Sequence, residues 1–201
     1  MIRIKICGVT TPSDALAAAA AGADAVGLVF VAQSARCVDI PTAAEIASCL
    51  PPFVNRVGLF MDHSPAEIER VLTGVALDTL QFHGGESPAE CAAFGRPWIK
   101  ALAMGSEALP DWDQWLDAQA LLLDSHGGGK LGGSGRPFDW SRVPALARPW
   151  ILAGGLGPDN VAEACRQLRP DAVDVSSGVE KSPGIKDHRL MQEFIKAARN
   201  A

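Results

Sequence analysis

The sequence has no excess of basic residues. Its 201 residues include 18 Lys and Arg against 23 Asp and Glu, which gives a formal net charge of −5 at pH 7. A protein that binds nucleic acid normally carries a basic face or stripe, so we expect no nucleic-acid partner. An anionic ligand of this chain must instead be held by local hydrogen-bond donors.

The chain also lacks paired cysteines and long apolar runs. Its five cysteines form no C-x-x-C pair, and this odd number favours neither a zinc knuckle nor a disulfide framework. No apolar stretch reaches the ~18 residues needed to span a bilayer. A polar segment at residues 10–14 precedes the alanine run at residues 17–21, so that run does not form a signal-peptide core. We therefore predict a cytoplasmic protein without membrane contact.

Short apolar segments rich in β-branched residues recur along the chain, roughly 20–30 residues apart. They are Ile2–Cys7, Ala25–Phe30, Arg56–Phe60, Thr79–His83, Trp98–Ala103, Ala120–Asp124, Trp150–Ala153 and Ala172–Val175. Near-continuous apolarity is typical of parallel strands that are covered by helices. These eight units predict an α/β fold, a (β/α)8 TIM barrel, as a single compact domain over residues 1–201.

Hydroxyl residues mark three predicted helix starts. Thr11, Ser64 and Ser87 are each followed by proline and, three positions on, by an acidic residue. The hydroxyl group can accept a hydrogen bond from a backbone N–H of the first turn. Proline at the first helical position loses no hydrogen bond, because that position has no acceptor within the helix. An acidic side chain in the first turn interacts favourably with the positive end of the helix dipole. Further predictions are a helix end at Gly22, a helix from Pro158 to about Leu168, and a short helix between Leu109 and Asp117 packed by Trp112 and Trp115.

The active site of such a barrel lies at the C-terminal ends of its strands. Cys7 ends the first predicted strand, and Asp124 ends the sixth after three leucines. A thiolate can act as general base or nucleophile, while apolar surroundings favour the protonated form of a carboxyl group, which can then donate a proton. A buried apolar cysteine and a loop-capping aspartate are the alternative interpretations. A base and an acid across a barrel mouth suit isomerisation.

Glycine and serine follow the last three predicted strands. The segments are Gly132-Gly133-Ser134-Gly135, Gly154-Gly155 and Ser176-Ser177-Gly178. Glycine lets backbone N–H groups approach a ligand closely, and serine adds hydroxyl donors. We therefore predict that these segments bind a phosphate group, and that the glycine-rich residues 126–135 form a loop over the site.

Three further polar residues lie near the predicted mouth. Arg36 follows the second strand and can pair bidentately with a substrate carboxylate, although a surface arginine is the alternative. His83 and Asp174 end strands and are expected to shape or hydrogen-bond the pocket rather than to act on the substrate. Since only one of the four histidines ends a strand, no metal site is predicted.

Eight motifs match a known family in the same order. They are Lys5–Thr10, Phe30-x-x-x-Ser34-x-Arg36, Gln81–Glu86, Leu123–Ser125, Gly132–Trp140, Leu152–Leu156, Asp174–Glu180 and Gly184–Asp187. On these motifs the chain resembles the phosphoribosylanthranilate isomerase family of tryptophan biosynthesis over essentially its whole length. Phe82 replaces a usual leucine, and Ser134 replaces a usual threonine but keeps the hydroxyl group.

The resemblance implies an Amadori rearrangement of N-(5-phosphoribosyl)anthranilate without cofactor or metal. By matching motifs, Cys7 is the general base, Asp124 the general acid and Arg36 the residue that holds the anthranilate carboxylate. The glycine loops match the phosphate site.

Two other functions remain open beside this one. Another phosphosugar-binding barrel isomerase, such as the related histidine-pathway enzyme, is expected to have an aspartate at the position of Cys7. A non-catalytic phosphosugar-binding barrel needs neither Cys7 nor Asp124. The expected partner is a phosphorylated small molecule, and the expected assembly is a monomer or weak homodimer.

Overall fold

Eight parallel strands close into a barrel in chain order. The computed structural model describes residues 1–105, 110–125 and 138–201. The strands are β1 (Arg3–Cys7), β2 (Ala25–Val29), β3 (Asn55–Phe60), β4 (Thr79–Phe82), β5 (Trp98–Ala103), β6 (Ala120–Asp124), β7 (Trp150–Leu152) and β8 (Ala172–Val175). Each strand pairs with the next, and β8 pairs with β1. The predicted (β/α)8 TIM barrel is confirmed.

Six helices and one hairpin accompany the barrel in the described residues. The helices are α1 (Pro12–Ala21), α2 (Ile40–Cys49), α3 (Pro65–Gly74), α4 (Pro88–Ala92), α5 (Val161–Leu168) and α6 (His188–Arg199). After β8 the chain forms an antiparallel hairpin of β9 (Glu180–Ser182) and β10 (Ile185–Lys186). Short 3-10 helices cover Asp113–Trp115, Trp140–Arg142 and Ser177–Val179. In this part of the chain, no helix is long and apolar enough to cross a membrane.

The predicted hydroxyl caps are confirmed. The Thr11 hydroxyl group accepts a hydrogen bond from the Asp14 backbone N–H. Ser64 and Ser87 each form a capping box with the glutamate three residues later. Gly22 ends α1 with a φ of 101°, a left-handed conformation that glycine adopts without strain.

Two local predictions need correction. The helix expected from Pro158 begins at Val161, because the Asn160 side chain accepts from the Gly157 N–H at 2.9 Å and closes a turn first. The short helix of the fifth unit is a single 3-10 turn at Asp113–Trp115, and Leu109 lies outside the described residues. Trp115 packs against Trp98 as expected, with ring centroids 6.4 Å apart.

Alternation along the strands separates two apolar layers. Successive side chains of a strand point to opposite faces, so Ile4 and Ile6 of β1 face the helices while Lys5 and Cys7 face the barrel interior. The main core lies between strands and helices. A smaller cluster of Ile99, Ala101, Leu122, Ile151 and Ala153 fills part of the interior. The strand tips above it remain available for polar side chains.

Candidate active site

A cavity opens at the C-terminal ends of the strands. Its polar lining consists of Cys7, Ser34, Arg36, Gln81, His83, Asp124, Asp174 and Ser176. Val29, Val31, Leu59 and Met61 complete the lining. The cavity therefore combines an apolar wall with both the candidate base and the candidate acid.

Cys7 lies at the apolar wall of this cavity. The residue is 6% exposed and packs with Val29, Val31 and Leu59. Burial raises the pKa of the Cys7 thiol, and the ammonium groups of Lys5 and Lys186 oppose part of this rise. The thiol depends on these cations if it is to lose its proton near neutral pH.

Lys5 and Asp174 form an ion pair inside the barrel. They are register partners on β1 and β8, and Lys5 Nζ lies 2.9 Å from Asp174 Oδ1. Both side chains are buried. Burial opposes the charge of Lys5, but Asp174 and Cys7 more than offset this effect and raise the Lys5 pKa. The barrel interior thus contains a stable ammonium group.

Asp124 contacts His83 across the cavity. His83 Nε2 lies 3.3 Å from Asp124 Oδ2, and both side chains are buried. On the other side of the imidazole ring, Gln81 Nε2 lies 3.3 Å from His83 Nδ1. Gln81 Oε1 is buried without a hydrogen-bond partner among the described residues. The Asp124 carboxyl group is therefore oriented by a side chain that is itself held in place.

Arg36 reaches the cavity through a second ion-pair network. Its Nε and Nη2 atoms each donate to the Glu180 carboxylate at 2.8 Å. Lys186 Nζ donates to the same carboxylate at 2.8 Å and to the Ser176 carbonyl oxygen at 3.1 Å. Burial opposes ionisation of Glu180, yet the hydrogen bonds from Arg36 and Lys186 lower its pKa. One edge of the guanidinium group is thus occupied within the protein.

A second cavity adjoins the first at the ends of β7 and β8. Gly154, Gly155, Ser176 and Ser177 line it, and Asp124, Asp174 and Ser176 line both cavities. Gly154 has a φ of 80°, and a Cβ there would collide with the Ser125 backbone nitrogen. The position therefore requires glycine, since Ser125 leaves no room for a side chain and the φ angle is left-handed.

Comparison with known proteins identifies the family of this barrel. The family model described as N-(5'phosphoribosyl)anthranilate (PRA) isomerase matches residues 4–197. The chain belongs to this family. It is accordingly an isomerase, and the fold and family expected from its motifs are both confirmed.

Relatives in the PRA isomerase family resemble the chain over its whole length. N-(5'-phosphoribosyl)anthranilate isomerase of Acidithiobacillus ferrooxidans is 56% identical, with 99% of this chain and 98% of that protein covered. The crystal structure of phosphoribosyl anthranilate isomerase from Thermotoga maritima is 40% identical, with a TM-score of 0.89 and 100% of both chains covered. A third structure, also covering 100% of both chains, is 38% identical with a TM-score of 0.80; it shows a phosphoribosyl anthranilate isomerase in complex with reduced 1-(o-carboxyphenylamino)-1-deoxyribulose 5-phosphate.

The predicted site residues have four different placements in this PRA isomerase fold. Cys7, Arg36, His83, Asp124, Asp174 and Ser176 line the first cavity, and Gly154, Gly155 and Ser177 line the second. Gly178 lies behind the second cavity, where a Cβ would collide with the Leu156 carbonyl oxygen, so its place is explained by backbone packing. Gly133, Ser134, Gly135 and the rest of the predicted loop at residues 126–135 lie outside the described residues.

The sequence analysis assigned no function to four polar residues of the site: Lys5, Gln81, Glu180 and Lys186. Lys5 and Gln81 are buried within short strands whose neighbouring residues are also buried, and a charge or amide in such a segment is a detectable signal. Glu180 and Lys186 lie in quoted motifs, but only the hairpin brings them to Arg36.

Proposed function

We propose that this chain catalyses the Amadori rearrangement of N-(5'-phosphoribosyl)anthranilate to 1-(2-carboxyphenylamino)-1-deoxyribulose 5-phosphate in tryptophan biosynthesis. Asp124 is the general acid and Cys7 is the general base. The observation that carries these assignments is that both side chains line one cavity, together with Arg36 and next to a glycine- and serine-lined cavity. The relative in complex with a reduced product supports the choice of ligand.

Asp124 starts the reaction by protonating the ring oxygen of the furanose. The ring C–O bond breaks and its electrons stay on the oxygen that receives the proton, while the nitrogen lone pair forms the C=N bond of an open-chain protonated imine. His83, 3.3 Å from the carboxyl oxygen, holds the acid in place. A positioned acid of this kind contributes about 10²- to 10⁴-fold to the rate.

Cys7 then removes the proton from carbon 2 of the sugar. The electrons of the C–H bond form a carbon–carbon double bond, those of the C=N bond return to nitrogen, and the protonated imine becomes an enolamine. Loss of the enol O–H proton and protonation of carbon 1 then give the ketone. Val29, Val31 and Leu59 pack around the sulfur atom and exclude water from it. A thiolate that has few water molecules around it is a stronger base toward carbon than a hydrated one.

The two ends of the substrate fit different parts of the site. Arg36 binds the anthranilate carboxylate through the nitrogen atoms that Glu180 leaves available. Backbone N–H groups at Gly154 and Gly155, with Ser176 and Ser177, bind the phosphate group. The sugar then lies beside Asp124 and Asp174, which line both cavities. Gly133, Ser134, Gly135 and Gly178 remain predicted contributors to the phosphate site.

Residues 1–201 form one isomerase domain that works in the cytoplasm as a monomer or weak homodimer. The proposed steps use protein side chains alone, and the partner is the phosphorylated substrate.

Substitution of the acid and the base tests this mechanism. In steady-state assays we expect Cys7→Ala and Asp124→Asn each to lower kcat by about 10²-fold or more, because each removes one proton-transfer group. Affinity for a reduced product analogue, measured by calorimetry, should stay close to that of the unaltered protein.

Cys165→Ala in α5 and Asp159→Asn in the turn before α5 are matched controls outside the site, and both should keep full activity. Near-normal turnover in Cys7→Ala or Asp124→Asn would overturn the corresponding assignment. If the unaltered protein binds the analogue but turns over no substrate, it is a phosphosugar-binding barrel rather than an enzyme.

A further inference from the structure

We propose that Lys5 is a positioning residue that prepares Cys7 to lose its proton, and that Asp174 sets how strongly Cys7 experiences the ammonium charge. The proposal deepens the proposed function and rests on it for the role of Cys7 as base. Lys5 acts through the sulfur atom and does not itself transfer the proton.

The geometry brings the ammonium and the thiol to the same place. Lys5 and Cys7 are two residues apart on β1, so both side chains point into the barrel. Gly27 is the register partner of Cys7 on β2, and a Cβ there would lie 2.8 Å from Cys7 Sγ and 3.1 Å from Lys5 Nζ. The missing side chain of Gly27 leaves room for the two groups to converge.

Among the described residues, basic groups outnumber carboxylates in the two ion-pair networks beside Cys7. Lys5 on β1, Lys186 on β10 and Arg36 after β2 are three basic groups, whereas Asp174 on β8 and Glu180 on β9 supply two carboxylates. His83, directly after β4, and Asp124, at the end of β6, line the same cavity and contact each other. A thiolate at Cys7 would balance this cluster, because an opposite charge at close range favours the charged form of a group.

A purely structural role explains the ion pair less well. Burying two charges costs desolvation energy, and apolar residues of similar size often serve stability equally well. The barrel interior is apolar where Ile99, Leu122 and Ile151 fill it. Lys5 and Asp174 lie instead beside Cys7, where an ammonium group has chemical use.

The test measures the titration of Cys7 directly. Protein labelled with ¹³C at cysteine Cβ is titrated between about pH 6 and about pH 10, around the range in which thiols ionise. The Cys7 signal is assigned by its loss in Cys7→Ser. Lys5→Gln keeps a hydrogen-bond donor for Asp174 but removes the charge, and Lys5→Met serves as a second variant. Lys196→Gln on the exposed face of α6 is the matched control.

Opposite shifts in two variants are the expected result. The midpoint of Cys7 should rise by about one pH unit or more in Lys5→Gln, because an ion-pair partner of this kind shifts a midpoint by 1–3 units. It should fall in Asp174→Asn, since the ammonium group then acts on the thiol alone. Loosened packing would instead move both variants in the same direction. Lys196→Gln should titrate like the unaltered protein.

Two outcomes would overturn the proposal. One is an unchanged or lowered midpoint in the folded Lys5 variants. The other outcome concerns a Cys7 thiol that does not titrate between about pH 6 and about pH 10 in the unaltered protein. In that case Asp174→Asn must lower the Cys7 midpoint into this pH range. If it does not, the proposed role of Lys5 is rejected. Full activity of Cys7→Ala would reject the base assignment without affecting this titration, so the two failures are distinguishable.

Discussion

At the residue scale, buried charges in this protein are held in pairs. Lys5 pairs with Asp174, Arg36 with Glu180, and His83 contacts Asp124. A buried charge without a partner is costly, so a substitution at one member leaves a penalty on the other. For these paired residues, the stability of each variant must therefore be measured alongside its activity.

Arg36 and Glu180 provide a graded test of carboxylate binding. We expect Arg36→Ala mainly to raise KM, by about tenfold or more, because the substrate loses a charge-assisted contact. Glu180→Gln should raise KM less, because the guanidinium group stays but is oriented more weakly. Initial rates over a range of substrate concentrations measure both. An unchanged KM in Arg36→Ala would remove this residue from substrate binding.

At the element scale, the hairpin of β9 and β10 connects three parts of the barrel mouth. Thr10 Oγ1, in the loop after β1, donates to the Gly184 carbonyl oxygen at 2.6 Å. Glu180 holds Arg36 from the loop after β2, and Lys186 holds Ser176 after β8. The hairpin thereby links the proposed carboxylate end of the site to the proposed phosphate end.

The cap of α1 gives a stability prediction at the same scale. Thr11→Ala removes the side-chain acceptor for the Asp14 N–H, and we expect the free energy of unfolding to fall by about 1 kcal/mol. Thr11→Ser keeps the hydroxyl group and should lose much less. Urea denaturation of both variants measures the difference. Equal loss in the two would mean that the cap hydrogen bond does not stabilise α1.

At the scale of the whole molecule, closure of the barrel joins the two ends of the chain. β1 pairs with β8, and α1 packs against α6. His188 Nε2 of α6 lies 2.8 Å from Asp14 Oδ1 of α1. Because these contacts span almost the full sequence, unfolding at either terminus opens the site between β1 and β8.

Acid should destabilise the folded molecule. Hydrogen bonds from Ser64 and Ser87 lower the pKa values of Glu67 and Glu90, and Arg36 and Lys186 outweigh burial to lower that of Glu180. Below the ordinary carboxyl range of about pH 4, the unfolded chain therefore takes up protons that the folded one does not. Stability is fully present above that range and falls as the pH drops through the lowered values. Urea denaturation at several pH values should show this slope, and Glu180→Gln should reduce it.

Strand positions were predictable because each strand is a short apolar segment between turn signals. All eight segments end within one residue of their predicted bounds. The helix after β7 was misplaced by three residues because the Asn160 side chain closes a turn, and proline and aspartate patterns do not reveal such a contact. Cys7 and Asp124 were found because strand ends in a barrel converge on one mouth.

The sequence by itself determined the barrel, the family and the strand-end residues, since these depend on local pattern and order along the chain. Only the tertiary structure decided which charges meet: Lys5 with Asp174, and Arg36 with Glu180 and Lys186. Those partners lie more than a hundred residues apart in the first two cases. Ion pairing inside a barrel depends on register and closure, which a linear sequence pattern does not contain.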